Sequence, residues 1–367
     1  MDLALLRLRS ALFREIRGFF DGRGYLEVDT PLLAPDLIPE SCLEVFESSR
    51  LPPAGSRRGA QPCWLIPSPE IWMKKLIARL WRDGELSGTQ GAAQGETPGG
   101  AGRGARGAGR GAIAGIYQIC HCFRNGESSG RHHSPEFTML EYYSLGGDYR
   151  DSARLTEELF TRLLPLAERG GQPDSIRPPF AAITVADAFA RWAGFDLYRA
   201  AALPGGLEAE ARRLGLDPAP GLDRGALYDL IFVDRVEPAL PGDRPLILTD
   251  YPAFVPCLAR RSGGTAERWE LYARGIELAN CYTEETDPRA VREFFEGEAA
   301  AKERTALVKH RVDREYWKMF LPAAPQGPGD PGPGFPPCSG VALGLDRLLM
   351  VLAGAASIDR ALPFPME

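Results

Sequence analysis

An arginine and a glutamate on one antiparallel hairpin, with a charged loop between them, are the residues of this 367-residue chain best placed to do chemistry. From Gly115 the stretch GIYQICHCF alternates, so Ile116, Gln118, Cys120, Cys122 and Arg124 share one face and Tyr117, Ile119, His121 and Phe123 the other. The strand breaks at Asn125-Gly126. After a polar loop it resumes, with Phe137, Met139, Glu141 and Tyr143 on a common face. A guanidinium held where a strand ends can bind a phosphoryl oxygen and stabilise charge that grows there, and Arg124 occupies such a position. Glu127, Arg131, His132 and His133 sit on a loop able to close over a polyanion, and Phe137 offers a ring to a base. That set points to nucleotide handling. A solvated hairpin whose loop is charged because loops are charged explains the same periodicity, and the hairpin alone leaves both readings open.

The elements that must position these residues mix strand and helix. A first helix is expected over 3–20. It carries Arg7, Arg9, Arg14 and Arg17, but Asp2 and Glu15 interrupt any transit-peptide pattern. Further helices are expected over 152–168, 185–193, 207–214 and 225–236. PLILTDYP after Arg244 and the stretch 269–277 read as strands. Antiparallel strands beside helices in this order indicate an α+β fold.

Composition bounds the rest. A 44% hydrophobic chain of this length can bury a large core, and no apolar run is long enough to span a bilayer. A net charge of −6 and a pI near 5.5 argue against a large nucleic-acid surface. The seven cysteines are odd in number and lack a secretory signal, which favours reduced thiols in a cytoplasm. Cys120-His121-Cys122 is a poor zinc site, because alternation turns His121 away from both thiols. Two segments read as loops without a core-forming period: the Gly/Ala/Arg-rich 83–115 and the Pro/Gly run 322–337.

The phrase FRN…RHHSPEFTMLEYY resembles the second signature motif of class II aminoacyl-tRNA synthetases, in the form of the lysyl branch. GVALGLDR from Gly340 resembles the third motif, and GYLEVDTPLL from Gly24, with Pro31, the first. SPEIWMKKL from Ser68 and WELYARGIELANCYTEETD from Trp269 are similar to that branch's lysine-pocket and metal segments. Five segments in the right order far exceed the specificity of any one.

The resemblance implies the class II fold over 1–367, an antiparallel sheet of six or seven strands flanked by helices, with dimerisation through the first motif. It implies that Arg124 meets the α-phosphate of ATP and Arg347 the terminal phosphate. By the same matching Glu127, Arg131 and His133 lie near the nucleotide, and Phe137 stacks on adenine. Glu270 and Glu277 match a pair that holds Mg2+. Glu70, Glu141 and Glu284 match carboxylates around bound lysine, with Tyr143, Asn280 and Ala342 alongside. A desolvated diamine needs anionic partners for both ammonium groups. Lys74 and Lys75, one turn below Glu70, are read as a helix face rather than as ligands.

The chemistry so implied is attack of the amino acid carboxylate on the α-phosphorus, then transfer from the adenylate to an acceptor. With the first helix at Leu3, no anticodon-binding barrel is expected ahead of it, which makes tRNA an unlikely acceptor. The chain then most resembles the free-standing lysyltransferases of this family, which join (R)-β-lysine to a lysine side chain of elongation factor P. A truncated synthetase acting on RNA or another acceptor, and a silent regulatory relative, are the alternatives. The chain departs from the family pattern in a longer second-motif loop, in Ser134, and in Cys281-Tyr282, where a larger group is expected beside the pocket.

Overall fold

The computed structural model describes residues 3–56, 59–86, 113–126, 131–322 and 334–365. Helix α1 (Leu3–Asp21) leads to β1 (Tyr25–Glu27), β2 (Leu33–Ala34), β3 (Glu47–Arg50), β4 (Gln61–Leu65) and α2 (Glu70–Arg82). The hairpin of β5 (Gly115–Phe123) and β6 (Glu136–Leu145) follows, then α3 (Tyr149–Arg169) and β7 (Ala181–Thr184). Next come α4 (Val185–Ala188), α5 (Leu197–Ala202), α6 (Gly206–Arg213) and α7 (Arg224–Ile231), with π-helical turns at Phe189–Ala193 and Phe232–Val236. The remainder is β8 (Leu246–Pro252), β9 (Arg261–Ser262), β10 (Thr265–Ala273), β11 (Ile276–Thr283), α8 (Pro288–Thr305), β12 (Cys338–Gly344) and α9 (Leu345–Ala353).

Among the described residues the main sheet runs β1-β5-β6-β12-β11-β10-β8-β7, with β9 beside β10. Its outer pairs, β1 with β5 and β7 with β8, are parallel, and the six strands between them are antiparallel. This is the α+β architecture expected. Alternation makes one face apolar: Tyr117, Tyr142, Trp269 and Val341 pack against Leu12, Ile16 and Phe20 of α1, Phe160 of α3 and Leu348 of α9. Full burial of such side chains contributes about 1.5–3 kcal/mol each. The opposite face is left for chemistry.

The expected helices are found, those at 185–193 and 225–236 each ending in a π turn. The single strand expected over 269–277 is instead the corner of a hairpin. Arg274 (φ 54) and Gly275 (φ 72) reverse the chain between β10 and β11. An arginine in the left-handed region is uncommon, so nothing in Ala-Arg-Gly announced the reversal. At the 83–115 segment a parallel bridge joins Leu86 to Ile113, while 87–112 lies outside the described residues, as does 323–333 of the second loop. No described helix is long and apolar enough to cross a membrane.

One buried carboxylate ties the three motif regions together. Asp346, in the first turn of α9, accepts from the Thr138 amide of β6 at 2.6 Å and pairs with Arg9 of α1, which also donates to Thr138 Oγ1 at 2.6 Å. Asp346→Ala would leave a guanidinium unpaired and an amide unsatisfied. We expect it to cost about 3–5 kcal/mol of stability, read as a lowered urea midpoint.

Candidate active site

Strand register sets the wall of the site. Gln118, Glu141, Ala342, Asn280 and Glu270 lie in one row across β5, β6, β12, β11 and β10. The next row holds Ile116, Tyr143, Gly340, Tyr282 and Arg268. Side chains in such rows share a face, so residues from five strands meet without any long loop.

Beyond the first row lies a cavity of about 260 Å3 lined by Arg124, His132, His133, Phe137, Asn280, Ala342, Glu277 and Arg347, among others. Arg124 follows β5, where its amide donates to Pro135 O at 2.9 Å, and its guanidinium carbon is 5.2 Å from the Phe137 ring centroid. The small sheet β2-β4-β3 supports that position: Phe123 N donates to Ile66 O and Asn125 N to Glu44 O, both at 2.9 Å. Arg347 donates from Nε to His132 O at 3.0 Å and from Nη1 to Glu277 O at 2.9 Å. A flat ring and two fixed guanidinium groups around one cavity suit a nucleotide.

The expected nucleotide residues do not all arrive there. Glu127 lies outside the described residues. Arg131 is exposed and absent from the cavity wall; its carbonyl anchors the loop by accepting from Ile358 N at 2.7 Å. His132 takes its place on the wall. Burial first, then Arg347, holds the His132 imidazole below its ordinary pKa. His121, as alternation required, sits on the opposite face, 3.0 Å from Glu136, while the Cys120 and Cys122 sulfurs are buried 3.9 Å apart.

Glu270 and Glu277 come to one face because of a defect. Between Leu271 and Tyr272 the ladder shifts, so Leu271 pairs with Ala279 but Tyr272 with Glu277, and Leu278 is left over and buried in the core. That β-bulge turns Glu277 back to the side of Glu270 and Asn280. Glu270 accepts from Arg268 at 2.5 Å and from the Tyr272 hydroxyl at 2.7 Å. The carboxyl of Glu277, 3.5 Å from Arg347, is pushed up by its packing and next by Glu270. Arg268 was missed in the sequence. It also donates to Asn280 Oδ1 at 3.3 Å and lies 4.3 Å and 5.5 Å from the Tyr251 and Tyr282 rings, orienting both the acid pair and Asn280.

At the β6 position of the row, Glu141 is joined by two further glutamates. Glu70 opens α2, Glu141 lies mid-strand in β6, and Glu284 follows β11. Tyr143, buried beside them, donates to Glu141 Oε1 at 2.8 Å. Burial, then Glu70, pushes the Glu141 carboxyl well up; burial, opposed by Lys74 and reinforced by Glu70, pushes Glu284 up to about 7.

One expectation is corrected here and one is narrowed. Lys74 is not merely a helix face: its side chain is 2% exposed and its Nζ lies 2.6 Å from Glu70 Oε1 and 2.5 Å from Glu284 Oε2. Lys75 is the surface residue, 36% exposed and 2.5 Å from Asp313. The signal for Lys74 was its place on the apolar stripe with Ile71, Ile77 and Ala78. The larger group beside the pocket is Tyr282 rather than Cys281. Cys281 faces the core with Trp269 and Val341, while the Tyr282 hydroxyl accepts from Asn280 Nδ2 at 3.0 Å.

An antiparallel wall that carries one arginine at the end of its central hairpin, another in the helix after its last strand, and acids between them suits the catalytic site of a synthetase. The chain belongs to the class II tRNA synthetase family, whose D, K and N pattern matches residues 109–367. It is 32% identical over 369 residues to the elongation factor P--(R)-beta-lysine ligase of Avibacterium paragallinarum, covering 100% of this chain and 96% of that protein. The elongation factor P--(R)-beta-lysine ligase of Pasteurella multocida (strain Pm70) is 31% identical over 99% of this chain and 95% of its own length. That of Mannheimia succiniciproducens is likewise 31% identical, over 97% and 93%.

Proposed function

We propose that this chain is an ATP-dependent ligase that activates (R)-β-lysine as an aminoacyl adenylate and transfers it to a lysine side chain of elongation factor P. The observation that carries the reading is the single row Glu141-Ala342-Asn280, which separates a glutamate pocket from an arginine-lined nucleotide cavity by the width of a few side chains. The names of the relatives support the amino acid and the acceptor.

In this reading the two ammonium groups of the substrate meet Glu70, Glu141 and Glu284, and its carboxylate points over Ala342 toward Arg124. That carboxylate, ionised at neutral pH, attacks the α-phosphorus of ATP, and the bond to the bridging oxygen breaks as pyrophosphate leaves toward Arg347 and His133. Arg124 stabilises the charge on the pentacoordinate phosphorus oxygens. The neutral amine of the acceptor lysine then attacks the adenylate carbonyl, and AMP departs with the bonding electrons. Glu270 and Glu277 are hard oxygen donors that fit Mg2+ beside nucleotide phosphates, oriented by Arg268 and Tyr272. Held by these two carboxylates, the ion would supply charge neutralisation for the leaving pyrophosphate. Leu26, Leu32 and Leu33, exposed in the first-motif region, support a homodimer, and elongation factor P as the acceptor supports a cytoplasmic location.

The test is ATP–pyrophosphate exchange with (R)-β-lysine, α-lysine and ornithine, followed by the mass of added elongation factor P. Preference for (R)-β-lysine and a gain of one lysyl unit are expected. Exchange without transfer would redirect the acceptor, and transfer to tRNA instead would overturn it.

The site also predicts a pH dependence. A diammonium substrate needs Glu284 ionised, and its carboxyl is held up at about 7. The KM for the amino acid should therefore rise about tenfold per unit as pH falls below that value. In the substrate-free protein the sign for stability is opposite. A raised carboxyl favours the fold below the ordinary carboxylate range, and that contribution is lost as pH climbs through about 7.

A further inference from the structure

Lys74 is the one member of the amino-acid pocket with a positive charge among the described residues, and its position demands a reason. An ammonium on the buried stripe of a helix is costly unless it is paired. Its Nζ donates to Glu70 Oε1 at 2.6 Å, one turn back on α2, and touches Glu284 Oε2 at 2.5 Å, across from β11. The second contact is an ion pair, so one ammonium serves two buried carboxylates from separate elements. Glu141 receives only the Tyr143 hydroxyl, and no described cation is paired with it. With all three carboxyls ionised, one ammonium leaves two negative charges uncompensated, and burial resists that excess by pushing Glu141 and Glu284 up until cations arrive. Two is the number a diamino acid brings once Arg124 meets its carboxylate.

We propose that Lys74 is a built-in counter-ion that cancels one of the pocket's three carboxylate charges, so that two remain for the substrate, and thereby makes the pocket selective for substrates with two ammonium groups. The role rests on the reading of this pocket as the amino-acid site. It is a positioning role: Lys74 sets the charge and spacing of Glu70 and Glu284 and does not touch the reacting atoms. Without it those two carboxylates would face each other uncompensated, and one would take a proton from solvent. Binding of a diamine would then have to release that proton. The other groups near Glu284 are Glu70 of α2, Tyr143 of β6, Cys281 of β11, Cys338 of β12 and Tyr316 of the turn Tyr316–Phe320; the four besides Glu70 are neutral hydroxyls or thiols, pushed up by burial. Lys74 itself stays charged, because Glu284 and Glu70 outweigh the burial that works against it.

The experiment compares the full-length protein with Lys74→Met, which keeps the volume, and Lys74→Ala, which leaves room for a small amine. Amino-acid-dependent ATP–pyrophosphate exchange is followed across pH. In both variants the KM for (R)-β-lysine should rise by about tenfold or more with kcat little changed. The pH below which KM climbs should move up by about one unit. Propylammonium should restore Lys74→Ala, whereas propanol, of similar size and uncharged, should not. Unchanged KM and pH profile in Lys74→Met, or equal rescue by propanol, would overturn the role and leave the site reading intact. Wild-type protein that exchanges with no diamino acid would overturn the site reading and this role together.

Discussion

Arg124→Ala is expected to lower amino-acid-dependent ATP–pyrophosphate exchange by about 10³-fold, in kcat far more than in KM, with the melting temperature nearly unchanged. The size follows from where the charge develops. In the ground state the α-phosphoryl oxygens share one negative charge; as the carboxylate adds, that charge grows on atoms which only a fixed cation can meet without reorganising. Arg124 is fixed. Its amide is bonded to Pro135 O, the residues on either side are bonded to Ile66 and Glu44, and its side chain lies along Phe137. Because these anchors are backbone bonds, truncating the side chain leaves the hairpin in place. Lysine at this position should recover little, since a point charge reproduces neither the planar fork nor the stacking. Exchange within tenfold of wild type would mean that the nucleotide lies elsewhere.

Gly340→Ala should be nearly as damaging, for a steric reason. A Cβ built there would lie 2.6 Å from Tyr143 Cε1 and closer still to Glu284 Oε1. Neither neighbour can yield freely. The Tyr143 ring is buried and bonded to Glu141, and Glu284 is held against Lys74. Moving either one unseats a carboxylate from the diamine pocket. We expect kcat/KM for the amino acid to fall by about 10²-fold or more, the loss of one to two charge-assisted contacts, while ATP binding measured by equilibrium methods persists. Loss of nucleotide binding to the same extent would show a general collapse rather than a pocket defect.

What lay open in the sequence, and what did not, divides along a physical line. The hairpin face of Cys120, Cys122, Arg124, Phe137, Met139 and Glu141 was legible because strand alternation is local: it depends only on neighbours two apart. The long helices were legible for the same reason. Glu270 and Glu277 could be matched to a family pattern, but no spacing argument would have united them, since an odd separation within one strand puts residues on opposite faces. The turn at Arg274-Gly275 and the bulge at Leu278 decide otherwise, and both depend on how β10 seats between β8 and β11.

Lys74 makes the same point about charge. In the sequence, Glu70 and Lys74 are a helical i, i+4 pair of the kind found on any solvated surface. Only the packing of α2 against the end of β11 turns that pair inward and adds Glu284 as its third member. Arg268 likewise had no signal of its own, because it owes its place to a contact with a distant segment, Asn280, and His132, legible only as a member of a charged loop, is set on the cavity wall by Arg347. By itself the sequence determined the α+β class, the strand faces and the kinds of side chain available for chemistry, all of which follow from short-range sterics and composition. The tertiary structure alone decided which of those side chains meet and what net charge they present together, because burial and pairing are properties of the assembled sheet.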